Sequence, residues 1–505
     1  MGAGTPPARA LAHGFGQRYD LPVPLWLWVA GAAAAVAFSF VVISLFVRGS
    51  PGLHGYPRVN LLRWKLGRLL AHRAVTETAK LVSVGLLALI VAAGAAGNQS
   101  PVRNLAPTAI WVLWWVGFAY VSALLGNLWM LVNPWKSLFE GVEALWQRHD
   151  HPNNLARRSR YPPWLGVWPA IVLFLGFAWA ELVFLGRSVP GQLALMTIVY
   201  SLITWTGMLV FGRAVWLRYG DPFAVAFGLL ARFAPTEVRV TDPGVCRTCP
   251  LACREADGDC VNCYECFASA AGSSHEWNLR PFAAGLVRTG DVSGSMLVFV
   301  LVVLSTVTFD GLTATPAWAH LEGSLYRALR SLGAARLTAI WTGGLLVFPA
   351  VFFFVYGLFA RWTAVAGGRR HSTAAVARAF VLSLVPIAIA YHLAHYFTYL
   401  LIQGQLIIPL ASDPFGFGWN LLGTARYRPD IGAVGARFAW YTAVIVIVLG
   451  HIVAVYVAHA IALREFGDRR SALRSQYSML VLMVGYTMVS LWIIAQPIVE
   501  TSPKG

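Results

Sequence analysis

Residues 438–462 read FAWYTAVIVIVLGHIVAVYVAHAIA, twenty-five residues without Asp, Glu, Lys or Arg. An α-helix rises about 1.5 Å per residue, so about 20 apolar residues cross the hydrocarbon layer of a bilayer. This stretch is long enough to cross, and it carries His451 and His459 into that layer. Nine more runs of the same kind occur, at 23–47, 81–97, 108–133, 164–186, 192–212, 294–312, 337–360, 379–404 and 477–497. The fold class expected is all-α: a polytopic integral membrane protein of about ten transmembrane helices.

Composition agrees. Of 505 residues, 57% are hydrophobic and 12% are charged, about half the charged share of an average soluble domain. Mean hydropathy is +0.61. No soluble core absorbs that much apolar surface, and a disordered chain carries far less. The net charge is +17. It does not point to nucleic acid, because the basic residues are scattered through loops and form no DNA-binding module.

Loop charge tests the spans. Loops 48–80, 134–163, 213–293, 361–378 and 463–476 hold 28 of the 39 Lys and Arg residues, and no span holds any. The alternate loops and the two ends hold the other 11. The positive-inside rule places the richer set in the cytoplasm and both termini outside. The first run lacks a short apolar core followed by a small-residue cleavage site, so it reads as a retained span. Trp26, Trp28, Trp164, Trp168 and Trp440 stand near span ends, where indole rings anchor at the interface.

The chain divides into spans one to five (1–212), a loop (213–293) and spans six to ten (294–505). The loop holds 8 basic and 9 acidic residues and all six cysteines of the chain. Its centre, CRTCPLACREADGDCVNCYECF (246–267), spaces them C-x2-C-x3-C-x6-C-x2-C-x2-C on Cys246, Cys249, Cys253, Cys260, Cys263 and Cys266. A C-x2-C pair aims two thiolates at one ion. The run Cys260, Cys263, Cys266 repeats half of a bacterial ferredoxin motif, in reversed order relative to the Cys249–Pro250 pair. Two full four-cysteine sites cannot be built from six unshared cysteines. One [4Fe–4S] cluster, zinc with His275 as a spare ligand, or disulfides remain open. The cytoplasmic placement disfavours disulfides.

Ionisable residues inside spans are rare and usually functional. Span eight carries His392 and His395. His392 lies about 20 Å and His451 about 17 Å from the cytoplasmic side of their spans, by the helical rise. At matching depth in consecutive spans, these histidines are expected to face each other. Three readings fit: haem b between His392 or His395 and His451, with His459 near an intermediate centre; a copper, zinc or iron site on His392, His395 and His451; or hydrogen-bonded core histidines. Glu181 and Asp310 lie in the outer thirds of their spans. Each suits a partner to a histidine, a proton path, or an interfacial carboxylate.

Five segments resemble one bacterial membrane-protein family: HGFGQRYDLPVPLWLW (13–28), GNLWMLVNPWK (126–136), CVNCYECF (260–267), PIAIAYHLAHYFTYLLIQGQ (386–405) and ALRSQYSMLVLMVGYTMVSLWIIAQPI (472–498). That family is commonly labelled fenitrothion hydrolase. The resemblance runs over most of the chain and implies organophosphate hydrolysis, without a catalytic motif to map onto these residues. Three functions are therefore expected to compete: electron transfer between the cysteine centre and an intramembrane haem or metal, metal-dependent hydrolysis of an organophosphate, and metal transport or a partnership with respiratory-complex subunits.

Overall fold

The computed structural model describes residues 19–47, 55–148, 155–247, 249, 259–270, 274–287 and 292–498. Among these, ten helices are long and apolar enough to cross a membrane. They are Leu25–Phe46, Arg73–Ala96, Leu105–Leu124, Pro163–Leu182, Pro190–Phe211, Gly294–Thr313, Arg330–Ala366, Thr373–Ser412, Ala436–Phe466 and Arg469–Ile498, called spans one to ten. Each overlaps one expected run. Large apolar side chains stay exposed around the bundle, among them Phe46, Leu81, Val172, Phe354 and Val481. In water such a belt would drive aggregation; it is the surface a lipid bilayer covers.

Spans two, seven, eight, nine and ten are longer than expected, because further helical turns, such as the polar Arg73–Lys80, extend them beyond the apolar runs. Span three is shorter. Its expected end was 133, yet the helix stops at Leu124. Gly126 then turns the chain with φ +142°, and a side chain there would run into Thr236. Apolar composition continues across the turn, so composition alone could not locate it. Ten residues of span three, Thr108–Gly117, wind as a π-helix. Pro134–Arg148 follows as a helix lying outside the spans.

The loops sort by face as the charge count requires. A four-stranded sheet forms from β1 (Val59–Asn60), β2 (Thr236–Val240), β3 (Cys260–Val261) and β4 (His275–Leu279), in the order β1-β4-β2-β3. It joins the loop after span one to the loop after span five. Arg213 Nη1 reaches Glu140 Oε1 at 3.1 Å. Arg464 Nη1 donates to the Val287 carbonyl at 2.8 Å, and Arg370 pairs with Asp468 at 3.1 Å. All five basic-rich loops are thus linked on one face. On the other face, Asn98 and Leu105 donate backbone N–H groups to Phe415 and Pro414, and Gly191 donates to Gln99 Oε1. Tyr19 donates to the Ile498 carbonyl at 3.0 Å, so the two ends of the described chain lie together.

Two expectations change. Trp440 is fully buried, with its ring edge-on to Trp28 at 5.9 Å, so it packs the core rather than anchoring at the interface. The segment 213–293 is not polar throughout. Residues PFAVAFGLL form a helix, Pro222–Leu230, capped by Asp221 and packed in the main core. Nine residues are too few to span, so the run reads as loop in sequence; its apolarity instead draws it between spans three, four and eight.

A sheet module on the same face is polar but well buried. Glu237 and Arg239 alternate with apolar residues on β2, so both point the same way. They meet Arg280, with Arg280 Nη1 2.7 Å and Arg239 Nε 3.1 Å from the Glu237 carboxylate. Tyr56 also donates to Glu237. Burial alone would raise the Glu237 carboxyl, but Arg280, Tyr56 and Arg239 together hold it below the usual range.

Candidate metal centre and intramembrane polar groups

Five of the six cysteines fall in the described residues, and they converge; Cys253 lies outside them. Cys246 lies in the helix Pro243–Arg247, one residue before its end, and Cys249 follows, its N–H directed at the Cys246 carbonyl. The β2–β3 ladder sets Cys260 opposite Val240. Asn262, at φ +54°, then turns the chain. That conformation suits Asn better than most residues, and its backbone N–H bonds the Val238 carbonyl. The turn delivers Cys263 and Cys266 at the start and within the helix Tyr264–Ser269.

The ligand atoms of Cys246, Cys260 and Cys266 lie within 4.8 Å of one another, as do those of Cys249, Cys263 and Cys266. Cys246, Cys260, Cys263 and Cys266 are buried. The Cys249 and Cys263 sulfurs are 3.7 Å apart. Four thiolates about 2.3 Å from a tetrahedral ion stand about 3.8 Å from each other, so this pair fits one edge of such a site. Hydrogen bonding from Cys260 outweighs burial, and with Cys266 and Cys249 it holds the Cys263 thiol down to about 5. Such a donor set suits a thiophilic ion or cluster; magnesium and calcium prefer oxygen.

The cysteine helix is tied to the bundle by charge. Arg213 Nη2 is 3.0 Å from Glu265 Oε2, and its Nη1 is near both Glu140 and Glu143. Lys80 and Lys136 complete the group around Glu140. Lys136 is buried, which pushes its ammonium below the usual range against the pull of Glu140, and its Nζ donates to the Met130 carbonyl at 2.8 Å.

Inside the membrane the structure pairs some of the expected residues and separates others. His395 Nε2 lies 2.9 Å from Asp310 Oδ2. Tyr396 donates to the same oxygen at 2.7 Å. Tyr391 stacks on the His395 ring at 5.8 Å. Glu181 feels the charges of Asp310 and Arg187. His459 has both nitrogens engaged, Nδ1 with Gln476 Oε1 at 2.8 Å and Nε2 with the Val47 carbonyl at 2.9 Å. It therefore pins spans nine, ten and one together, and both ring nitrogens are turned to these partners rather than to an intermediate centre.

His392 and His451 do not face each other. Span nine approaches span eight through Gly450, where a side chain would meet Ala390 and the Pro386 carbonyl. His392 is about 200° around its helix from Ala390 at 3.6 residues per turn. Its ring instead meets Trp115, Tyr120 and Tyr396. The His451 Nδ1 bonds the Ile447 carbonyl, and its ring lies near Tyr486. Among the described residues, no three His, Cys, Asp or Glu ligands inside the membrane converge within 4.8 Å. The cavity beside His392 is about 30 Å³, room for a water molecule or two, and a porphyrin does not fit. The expected haem or copper, zinc or iron site on His392, His395 and His451 is thus not assembled. The reason is rotational: matching depth does not fix which way a helix face points.

A column of aromatic rings, which no sequence motif marks, runs through the same region. Trp135, on the helix that carries Lys136 and Glu140, lies 6.1 Å from Trp129. Trp129 lies 5.7 Å from Trp114, and Phe223 bridges Trp114 at 4.4 Å and Trp115 at 6.2 Å. Trp115 reaches His392 at 6.1 Å, and His392 reaches Tyr396 at 4.8 Å. The density of Trp around 111–135 was the available signal.

Searches of family models, curated proteins and solved structures find no match to this chain.

Proposed function

We propose that this chain is a membrane metalloprotein of redox type, with a thiolate-bound centre on the face of the basic loops exchanging electrons with the interior of the bundle. The convergence of five cysteines carries the reading. By the positive-inside rule that face is cytoplasmic. Bound there, an iron–sulfur cluster or iron ion supplies one-electron chemistry. Arg213, held by Glu265 and Glu140, joins the cysteine helix to the helix of Trp135. The aromatic column then leads from Trp135 to His392 and Tyr396. At its end, His395 and Tyr396 hold hydrogen bonds to one carboxylate oxygen of Asp310, a place to keep or release the proton that balances an added charge. An electron donor or acceptor protein docking on the basic face, such as a respiratory-complex subunit, is the partner this reading asks for.

The four buried cysteines form an enclosed, thiol-lined site. Hydrolytic metal sites keep a position open for water, and the intramembrane histidines do not form one. The geometry therefore gives least support to the organophosphate hydrolysis implied by the resemblance.

A second reading is structural zinc stapling the sheet module to the bundle, favoured by the 3.7 Å sulfur separation. Anaerobic purification in mild detergent decides between them. Elemental analysis is read with optical and paramagnetic resonance spectra before and after dithionite. Iron with a signal that changes on reduction supports the redox reading. Zinc without such a signal overturns it in favour of the structural one.

A further inference from the structure

We infer that the cysteine cluster binds two thiophilic ions, each held by three cysteine sulfurs, with the Cys266 sulfur bridging them. The inference deepens the metal reading above and does not depend on a redox role.

The argument is geometric. Around one tetrahedral ion all four sulfurs are mutual neighbours at about 3.8 Å. The five described cysteines do not make such a group of four. They form two groups of three, Cys246–Cys260–Cys266 and Cys249–Cys263–Cys266, with one sulfur in common. Cys246 and Cys249 are close in sequence yet belong to different groups, and Cys260 and Cys263, one from each group, are in contact beside the shared Cys266. A single ion engages one set of three and leaves two cysteines of the other set uncoordinated. Two ions use all five.

The chemistry permits the bridge. A thiolate sulfur has more than one lone pair and donates one to each ion. Each cysteine gives up its thiol proton to solvent on binding, since the thiolate is the ligand. Cys266 is buried in the shared position, on the helix anchored through Glu265 to Arg213, so its sulfur is fixed between the two sets. A candidate additional donor stands nearby. His275 is registered with Val240, and Val240 with Cys260, which places the three side chains on one face of the sheet. The His275 Nδ1 is buried without a hydrogen-bond partner, and its ring lies 4.9 Å from Phe267 on the cysteine helix. The count of two does not require Cys253.

The test loads the full-length, detergent-purified protein with ¹¹³Cd²⁺, a spectroscopic stand-in for a thiophilic ion, and measures the ion-to-chain ratio and the ¹¹³Cd resonances. Two ions per chain with two mutually coupled resonances are expected, the coupling passing through the shared sulfur. Cys249→Ser is expected to leave one ion, on the set that lacks it. Cys266→Ser is expected to abolish the coupling and lower occupancy of both positions. One ion per chain in the wild type overturns the inference while leaving the metal reading intact. Two ions with uncoupled resonances overturn the bridge. No bound ion sinks the metal reading itself.

Discussion

Arg213, two residues beyond the end of span five, sets its Nη2 3.0 Å from Oε2 of Glu265, the residue before Cys266. The contact fastens the cysteine helix to the bundle, and the same guanidinium holds Glu140 and Glu143. Charge-assisted hydrogen bonds contribute about 1.5–3 kcal/mol, reduced here by partial exposure. Arg213→Ala is expected to loosen the module without unfolding the bundle. Limited proteolysis reads it: cleavage between the fifth and sixth spans should accelerate, while the transmembrane fragments stay intact. Unchanged cleavage would show that the sheet alone holds the module.

Glu237 is the anion of a buried group with Arg239, Arg280 and Tyr56. Replacing one member of a buried ion pair costs about 3–5 kcal/mol, because the partner charge is left uncompensated. Glu237→Gln should therefore destabilise the sheet module more than Arg213→Ala does. Hydrogen exchange over 236–240 and 275–279 is the measurement. Protection equal to wild type would mean that the guanidinium groups find other partners.

The same carboxylate sets an acid limit. Its folded pKa is depressed, so the unfolded state binds protons first as pH falls. Its contribution is fully present above the unfolded value of about 4.3 and is lost as pH drops through the folded value. Thermal melts should be flat with respect to this group from pH 7 to about 5 and fall below about 4.3. Glu237→Gln should remove that part of the acid slope. A slope identical in wild type and variant would assign it to other groups.

Asp310 accepts from both His395 and Tyr396 in the membrane interior. Hydrogen bonds between spans average about 0.6 kcal/mol and reach about 1.7. Tyr396→Phe should cost that amount in a detergent melt. Asp310→Ala should cost more, since it removes the acceptor of both donors. Equal losses would show that Tyr396, not the carboxylate, governs the site.

Gly450 is where spans eight and nine approach, and a methyl group there meets Ala390 and the Pro386 carbonyl. Overpacking of this kind costs about 1–3 kcal/mol. Gly450→Ala should lower the melting temperature. Gly485→Ala, with nothing within 4 Å of the added carbon, should leave it unchanged or raise it slightly through higher helix propensity. The pair separates crowding from helix propensity. Equal effects would remove the crowding explanation.

Features under the control of local composition are legible from the residues alone. Hydrophobicity is additive along the chain, so 438–462 and nine other runs announced their crossings, and loop charge sorted the faces that the sheet and the Arg370–Asp468, Arg464–Val287 and Arg213–Glu140 contacts later joined. The C-x2-C spacings announced a thiolate site because each such pair is a local turn. Features that depend on helix rotation and long-range packing emerge only in the folded chain. His392 and His451 share a depth but not a direction, because each residue turns the helix by about 100°, so one or two positions carry a side chain from one neighbour to another. His395 found Asp310 eighty-five residues away. Pro222–Leu230 entered the core because the bundle offered an apolar slot that composition could not locate. Cys266 became the shared member of two cysteine sets through the β2–β3 ladder, the Asn262 turn and the grip of Arg213, which bring together segments distant in sequence.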